Sequence, residues 1–388
     1  MPFYHHLGEV PRKRHIAFRE PTGQLYHEHL TGSLGFSGVA SLLYHIRPPT
    51  SVLSTRTVSE LRLQSDADAT LRMRHFRLSN VPAVSSATLE RLPLLFNQDV
   101  LLAMVQPTET DDFFYRNGQA DEVVYICEGE GILESQMGEL PYREGDYLVI
   151  PRGILHRYQL APGATRMLII ESSGQIKPPQ RYRNEFGQLL EHSPYCERDI
   201  RIPESLPLHD QTGEFRVLVK RNNVLSELTL DHHPLDVVGW DGYYYPWALS
   251  IHDFEPITGS LHQPPPVHQT FQSDGFVICS FVPRLFDYHP QAVPAPYNHS
   301  NVMSDEVLFY ANDEFMSRSG IGYGSLTLHP HGLPHGPHPG RAEASIGKTR
   351  TDELAVMLDT FRPLVVARDI LEFEDPDYGR SWLEKEEQ

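Results

Sequence analysis

The sequence predicts an all-β fold with only minor helix, and three observations support this. The 388-residue chain has 32 prolines, which cluster with glycine between short apolar segments. Residues 122–127, 147–150 and 306–310 have the length and the β-branched and aromatic content of strands. Few stretches sustain a helical period, and residues 351–367 are interrupted by Pro363.

Length and composition set the class of protein. A chain of 388 residues suits two domains with sizeable cores, and 40% hydrophobic with 22% charged residues is ordinary for a globular protein. There is no long apolar run and no signal-peptide pattern, so we expect a cytoplasmic protein with no membrane contact. Cys127, Cys196 and Cys279 stand too far apart for a zinc motif or a disulfide framework. The net charge of −18 argues against a nucleic-acid partner, since the basic run 12–15 is short and isolated.

An internal repeat links two turns of the chain. Residues 145–156 and residues 324–335 share the form G-x5-P-x-G-x2-H, ending at His156 and His335 respectively. Glycine and proline favour a tight turn after a strand, and the final histidine would then point inward from the next strand. Four matching positions, found twice in one chain, predict two similar β-barrels.

Each repeat follows an acidic residue that opens a strand, Glu122 in the first half and Glu306 in the second. With Gly129 seven residues after Glu122, this arrangement resembles the two sequence motifs of the cupin superfamily. The resemblance implies a bicupin, with two jelly-roll barrels near residues 90–175 and 235–368. We therefore expect an N-terminal region, 1–231, that contains the first barrel, and a catalytic C-terminal barrel with its tail, 232–388.

The first barrel lacks most of a metal set. The positions expected for paired histidines hold Tyr115 and Asn117, so only Glu122 and His156 remain as candidate ligands. Two ligands are too few to hold an ion firmly, which predicts a degenerate, metal-free barrel.

The second barrel keeps three candidate ligands, His299, Glu306 and His335, although Asn301 replaces the second histidine of the motif. Two histidines and one carboxylate form the face that binds Fe(II) in non-haem oxygenases, with positions left open. We expect Fe(II) in this barrel. The neighbouring Asp305 is an alternative carboxylate ligand, but the motif spacing and the apolar residues that follow favour Glu306.

Several longer segments resemble the homogentisate 1,2-dioxygenase family. They are residues 35–38, 42–45, 236–242, 250–254, 261–271, 276–284 and 296–301. The resemblance implies an Fe(II) enzyme that opens the ring of homogentisate with O2 to give maleylacetoacetate, in the breakdown of tyrosine, phenylalanine or phenylacetate. It also implies a homo-oligomer, a trimer or a hexamer.

The family's site residues carry over by motif. His262 falls at the position of the catalytic acid/base, and Tyr297, His329 and His335 fall at positions that contact the substrate. His268 is chemically equivalent to His262 on paper and stays open as an alternative.

Two other histidines, His331 and His338, lie in the same His-Pro-Gly-rich segment as His335. Their offset from the turn predicts surface or rim positions instead of metal ligation.

Three other functions remain open, one of which is a zinc bicupin isomerase, although no segment of this sequence resembles the substrate motif of that class. A related bicupin dioxygenase could act on another hydroquinone-type acid such as gentisate, although such enzymes generally carry the His-x-His pair that Asn301 breaks. A non-catalytic ligand-binding bicupin would be expected to lose the metal set, which this chain retains. In the favoured interpretation the partners are a small aromatic acid and O2.

Overall fold

The structure is a computed structural model that describes residues 3–383. Its strands in the first third of the chain are β1 (His5–Gly8), β2 (His27–Gly32), β3 (Ala40–His45), β4 (Ser54–Glu60), β5 (Arg74–Arg77), β6 (Leu92–Phe96), β7 (Val100–Val105), β8 (Phe114–Asn117), β9 (Asp121–Glu128), β10 (Gly131–Ser135) and β11 (Gly138–Tyr142). The next strands are β12 (Asp146–Ile150), β13 (His156–Leu160), β14 (Arg166–Ser172), β15 (Ile200–Arg201), β16 (Thr212–Arg221), β17 (Val224–His232), β18 (Val237–Gly242) and β19 (Trp247–Ser250). The last are β20 (Gln269–Gln272), β21 (Phe276–Phe281), β22 (Arg284–Leu285), β23 (Asp305–Tyr310), β24 (Ser325–His329), β25 (Arg350–Thr351), β26 (Ala355–Thr360) and β27 (Val365–Val366).

Helix is confined to short pieces in the described residues. They are the α-helix α1 (Arg341–Ser345) and the 3₁₀ turns Leu78–Asn80, Gln180–Tyr182, Glu197–Asp199, Ile251–Asp253, Pro265–His268, Arg368–Phe373 and Tyr378–Arg380. None of these helices is long and apolar enough to cross a membrane. The predicted all-β fold with minor helix is confirmed.

Two large sheets form the N-terminal half. One has eight strands in the order β15-β19-β12-β9-β14-β7-β6-β27, and the other has seven in the order β11-β10-β13-β8-β16-β17-β4. All seven residues of β14 and all five of β12 are buried, and their apolar stretches, residues 167–170 and 147–150, show no polar alternation.

The C-terminal half is built on a six-stranded sheet in the order β20-β21-β26-β23-β24-β5. Its central strand β23 pairs with β24 on one side and with β26 on the other. The edge strand β5 comes from the N-terminal part of the chain, where Phe76 is opposite Leu326.

Strands also cross the expected division at 231/232 in the other direction. β18 pairs with β3, β19 pairs with β12, and β27 pairs with β6. Each half therefore depends on strands from the other for its sheets, and the division into 1–231 and 232–388 stays a prediction.

A shared core joins the eight-stranded sheet to the six-stranded sheet. Tyr147 packs its ring 5.4 Å from that of Phe271 and hydrogen-bonds the Ser280 hydroxyl at 2.8 Å, with all three side chains fully buried. Burial of such large aromatic side chains is the dominant stabilising term in a core, and the hydroxyl contact satisfies the one polar group of the tyrosine.

The repeated turn has the same form in both halves. Gly153 and Gly332, the second glycines of the two motifs, have φ of 81° and 85°, a left-handed conformation that residues with a β-carbon rarely adopt. Each turn delivers its histidine, His156 or His335, to a buried position. The predicted turn is thus present twice.

Candidate metal centre

Three elements bring the predicted ligands of the second barrel together. Glu306 is the second residue of β23, and His335 follows the turn after β24. His299 precedes β23 and forms an isolated bridge with His335, with N–O distances of 2.8 and 2.9 Å in the two directions. This backbone bridge fixes the two imidazoles next to each other, with ring centres 4.2 Å apart.

The three side chains form a compact donor set. One ligand atom from each of His299, Glu306 and His335 lies within 4.8 Å of the others. Nε2 of His299 lies 3.6 Å from one Glu306 oxygen, and Nε2 of His335 lies 3.5 Å from the other. Among the described residues these three are the group of His, Cys, Asp and Glu side chains that could hold a metal ion.

The orientation of both imidazoles suits metal binding. Nδ1 of His299 faces the carbonyl oxygen of Tyr297 at 3.3 Å, and Nδ1 of His335 faces that of Leu333 at 3.4 Å. A proton on Nδ1 would donate to these carbonyls and leave the Nε2 lone pair free, as is usual for histidine ligands. Nε2 of His335 is buried without a hydrogen-bond partner in the described chain, which an ion would supply.

Adjacent residues of β23 point to opposite faces, which separates the two candidate carboxylates. Glu306 faces the histidines. Asp305 instead accepts hydrogen bonds from the backbone N–H of His331 at 2.8 Å and of Leu364 at 2.7 Å. This geometry favours Glu306 as the ligand and gives Asp305 a structural role.

His329 lies behind Glu306, and its ring has no exposed surface. Its Nδ1 is 2.7 Å from a Glu306 oxygen and its Nε2 is 3.2 Å from the Tyr378 hydroxyl. A neutral ring that donates from Nδ1 and accepts at Nε2 satisfies both contacts. His329 thus orients Glu306, and the substrate contact implied by the resemblance stays a prediction.

The carboxylate is held in its charged form. Burial alone would raise the pKa of Glu306, but the adjacent imidazoles of His299, His329 and His335 hold it well below its usual range. Glu306 in turn raises the pKa of His299, whereas burial lowers the pKa of His329 to about 4. The charged carboxylate is the form of Glu306 that binds a metal ion.

A cavity of about 490 Å³ opens on the donor set. Its lining includes His299, Asn301 and Glu306 from the centre, and His262 and Tyr297 from the facing loops. Both predicted residues of the loops therefore share the cavity with two of the predicted ligands. His335 lies beneath this surface, only 3% exposed.

The two loop residues contact each other. The rings of His262 and Tyr297 meet edge to face at 5.3 Å, and Tyr297 lies 6.5 Å from the His299 ring. Nδ1 of His262 is 3.2 Å from an Asp287 oxygen, and about half of the imidazole is exposed. Its other nitrogen is thus available to a molecule in the cavity.

Other lining residues were missed from the sequence. They include Asp359, the β26 residue opposite Glu306, for which burial and then the charge of Glu306 raise the pKa to about 7. Arg318 is buried at the cavity wall. His268, which the sequence did offer as the alternative to His262, also lies there, and its Nδ1 lacks a partner in the described chain. No motif marks Asp359 or Arg318. Burial, together with Arg284 and His262, lowers the pKa of His268 to about 3, which keeps it a poor proton acceptor.

The two histidines expected at the rim differ from each other. His331 is partly exposed and its Nδ1 lies 2.7 Å from Asp305. The expectation for His338 is wrong, because it is buried against Trp382, with ring centres 4.4 Å apart.

The corresponding place in the first barrel contains an arginine. Arg91 reaches the buried Glu122 with Nη1 and Nη2, at 2.9 and 3.2 Å, and Asn117 donates to the same carboxylate at 2.8 Å. His156 keeps the Nδ1 contact to a carbonyl two residues earlier, that of Ile154, at 3.0 Å. A guanidinium thus lies where the second barrel could place an ion.

This chain is similar to one protein-family model and to several individual proteins. The family model for the N-terminal part of homogentisate 1,2-dioxygenase matches residues 100–251. A Saccharolobus solfataricus protein named as a putative dioxygenase is 44% identical over 98% of this chain and 99% of its own length. The homogentisate 1,2-dioxygenase of Bradyrhizobium diazoefficiens is 27% identical over 73% of this chain. That of Emericella nidulans is 30% identical over 56% of this chain.

The matches to the two homogentisate dioxygenases span 65% and 50% of those enzymes' own lengths, less than two thirds. The match to the Saccharolobus solfataricus protein, in contrast, runs nearly from end to end of both chains. The chain therefore belongs to the family of the Saccharolobus solfataricus putative dioxygenase, and its residues 100–251 carry the N-terminal domain of the homogentisate 1,2-dioxygenase family model.

Proposed function

We propose that this protein is an Fe(II)-dependent ring-cleaving dioxygenase that converts homogentisate and O2 to maleylacetoacetate. The observation that carries the proposal is the set of His299, Glu306 and His335 at the wall of a cavity of about 490 Å³. Membership of a family with named dioxygenases supports the reaction type, and the named homogentisate dioxygenases support the substrate.

The donor chemistry fits Fe(II). Two imidazoles and one carboxylate leave coordination positions open, and the unpartnered Nε2 of His335 and the ionised Glu306 are prepared for a cation. When bound, the ion would supply Lewis acidity for a phenol and a place for O2. His299, Glu306 and His335 would hold it, while His329 keeps the carboxylate oriented.

The rest of the cavity supports an aromatic substrate. Its lining includes the apolar side chains Phe281, Leu308, Phe315 and Met357, which can exclude water from a ring. Tyr297, at the same wall, would place its ring or hydroxyl against the substrate. Ligand pockets of this kind combine apolar walls with a few polar groups that fix orientation.

His262 would act as the acid/base in this proposal. Asp287 holds its Nδ1, so Nε2 can accept the phenolic proton as the substrate binds and later return a proton. The exposure of the ring gives the proton a route to solvent.

Oxygen uptake by anaerobically Fe(II)-loaded protein tests the proposal, with homogentisate and gentisate supplied separately. Uptake with homogentisate alone and the absorbance of maleylacetoacetate would support reaction, substrate and metal together. Uptake with gentisate would favour another hydroquinone-type acid as the substrate. An identity of 27% to a homogentisate dioxygenase is compatible with such a change of substrate. No uptake with either would favour a binding function for the same fold.

A further inference from the structure

We propose that Arg318 binds the carboxylate of the substrate, an inference that rests on the proposed function and extends it. Arg318 lines the cavity that opens on His299 and Glu306, yet it is only 7% exposed. A buried charged side chain at the wall of a ligand cavity is costly unless something neutralises it.

The guanidinium of Arg318 is fixed but incompletely used. Its Nη1 donates to the backbone carbonyl oxygens of Gly336 and Ser317, and the group lies 5.5 Å from the centre of the Trp382 ring. Nε is buried and has no hydrogen-bond partner in residues 3–383. Two carbonyls and an aromatic face hold the plane of the guanidinium in place, so the group is ordered before a ligand arrives. Because Nε is enclosed, a ligand in the cavity would contact the guanidinium at its terminal nitrogens.

The charge of Arg318 is not neutralised within the described part of the chain. No ion pair to Arg318 occurs among these residues, whereas Arg284, the other arginine of the lining, lies 2.6 Å from Glu353. Burial first, and the charge of Arg318 after it, lower the pKa of the neighbouring His338 to about 4, so this imidazole is neutral and adds no second cation.

A carboxylate is the ligand group that this arrangement fits. A guanidinium offers parallel N–H donors that match the two oxygens of a carboxylate, and such charged hydrogen bonds are about twice as strong as neutral ones. The net charge of −18 disfavours an anionic ligand, and a cation at the cavity wall would offset this locally. An arylacetate would then lie with its carboxylate at Arg318 and its ring towards the donor set.

Equilibrium binding to the Fe(II)-loaded full-length protein under strictly anaerobic conditions tests this role. The two ligands are 2,5-dihydroxyphenylacetate and its amide, which differ only in the charge of the side chain. We expect the wild-type protein to bind the acid about 10- to 100-fold more tightly than the amide, the worth of a hydrogen bond to a charged group. Arg318→Met should remove this preference, and Arg318→Lys should retain part of it.

Arg341→Gln is the matched control, because the partly exposed Arg341 donates to Ser319, beside Arg318, and is not part of the cavity lining. It should keep the full preference for the acid. Retained preference in Arg318→Met, or equal binding of acid and amide by the wild-type protein, overturns the inference. Since no O2 is present, a preference that depends on Arg318 supports the inference even if the aerobic assay later shows no ring cleavage.

Discussion

Replacement of Arg91 by methionine offers a test of the electrostatics of the first barrel. Arg91 contacts Glu122 through two nitrogens and Glu171 through one, at 3.2 Å. Glu171 keeps Lys220, whose Nζ lies 2.8 and 2.6 Å from its two oxygens. Glu122 would keep only the amide of Asn117. The substitution therefore leaves one fully buried carboxylate without a cation.

The expected loss of stability follows from this one unpaired carboxylate. Removing one partner of a buried ion pair costs about 3–5 kcal/mol, so the free energy of unfolding of Arg91→Met should fall by about that amount at pH 7. Adding Glu122→Gln removes the stranded charge, and the double variant should recover most of the loss. What remains should be the cost of unmet hydrogen bonds, about 1–3 kcal/mol.

The pKa of Glu122 determines how the free energy of unfolding changes with pH. Burial would raise the pKa of Glu122, but the charge and hydrogen bonds of Arg91 lower it to about 2. In the wild-type protein the ionised Glu122 thus stabilises the fold above its ordinary pKa near 4.5, and this contribution is lost as pH falls towards 2. Without Arg91, burial raises that pKa, so the penalty is present at pH 7 and is relieved as the pH falls.

Urea denaturation of both single variants, the double variant and the wild-type protein at pH 7 and pH 5 measures these differences. The gap between wild type and Arg91→Met should narrow at pH 5. A loss below about 1 kcal/mol at pH 7, or a gap that does not change with pH, would refute the view that Arg91 is the counter-ion of Glu122.

Three further predictions concern the candidate metal centre. Glu306→Gln should lower Fe(II) affinity by more than about 100-fold, since even the loss of a residue that only orients a ligand costs about 10- to 100-fold. Asp305→Asn should keep its iron. Metal content after dialysis distinguishes the two variants, and the reverse pattern would make Asp305 the ligand. Tyr378→Phe removes the hydroxyl at His329 and should weaken Fe(II) binding by about 10- to 100-fold in a chelator competition; unchanged affinity would argue against an orienting role. His262→Phe should retain iron and lower turnover about 10²- to 10⁴-fold in oxygen uptake, and full turnover would remove it from the mechanism.

Local patterns account for what the sequence predicts correctly. The turn that ends at His335 is set by glycine and proline at fixed spacing, so the sequence alone predicts both its conformation and the inward histidine. The preference for Glu306 over Asp305 rests on the motif spacing and on the apolar residues that follow, and the ligand role of Glu306 stays a prediction. A motif that occurs twice in one chain predicts the same turn at both places, because both copies must satisfy the same backbone geometry.

Distant segments account for what the sequence does not predict. Arg91 reaches Glu122 from 31 residues away, and Tyr378 reaches His329 from 49. Neither residue belongs to a periodic pattern or a motif, and only the folded sheets bring them to the two centres. β5 shows the same limit, since an N-terminal strand completes the C-terminal sheet. Short-range patterns cannot indicate such partners.

The two barrels place a buried carboxylate at the same point of the same motif and neutralise it differently. In the first, Arg91 supplies a permanent cation and Tyr115 and Asn117 occupy the positions of lost ligands. In the second, three imidazoles surround Glu306, of which His299 and His335 could bind an ion together with the carboxylate while His329 orients it. A guanidinium has no open coordination position, so Arg91 can stabilise the charge of Glu122 but cannot take part in oxygen chemistry. Both carboxylates stay ionised, but only the one in the second barrel lies beside groups that could hold a metal ion. The proposed reaction is therefore confined to the second barrel.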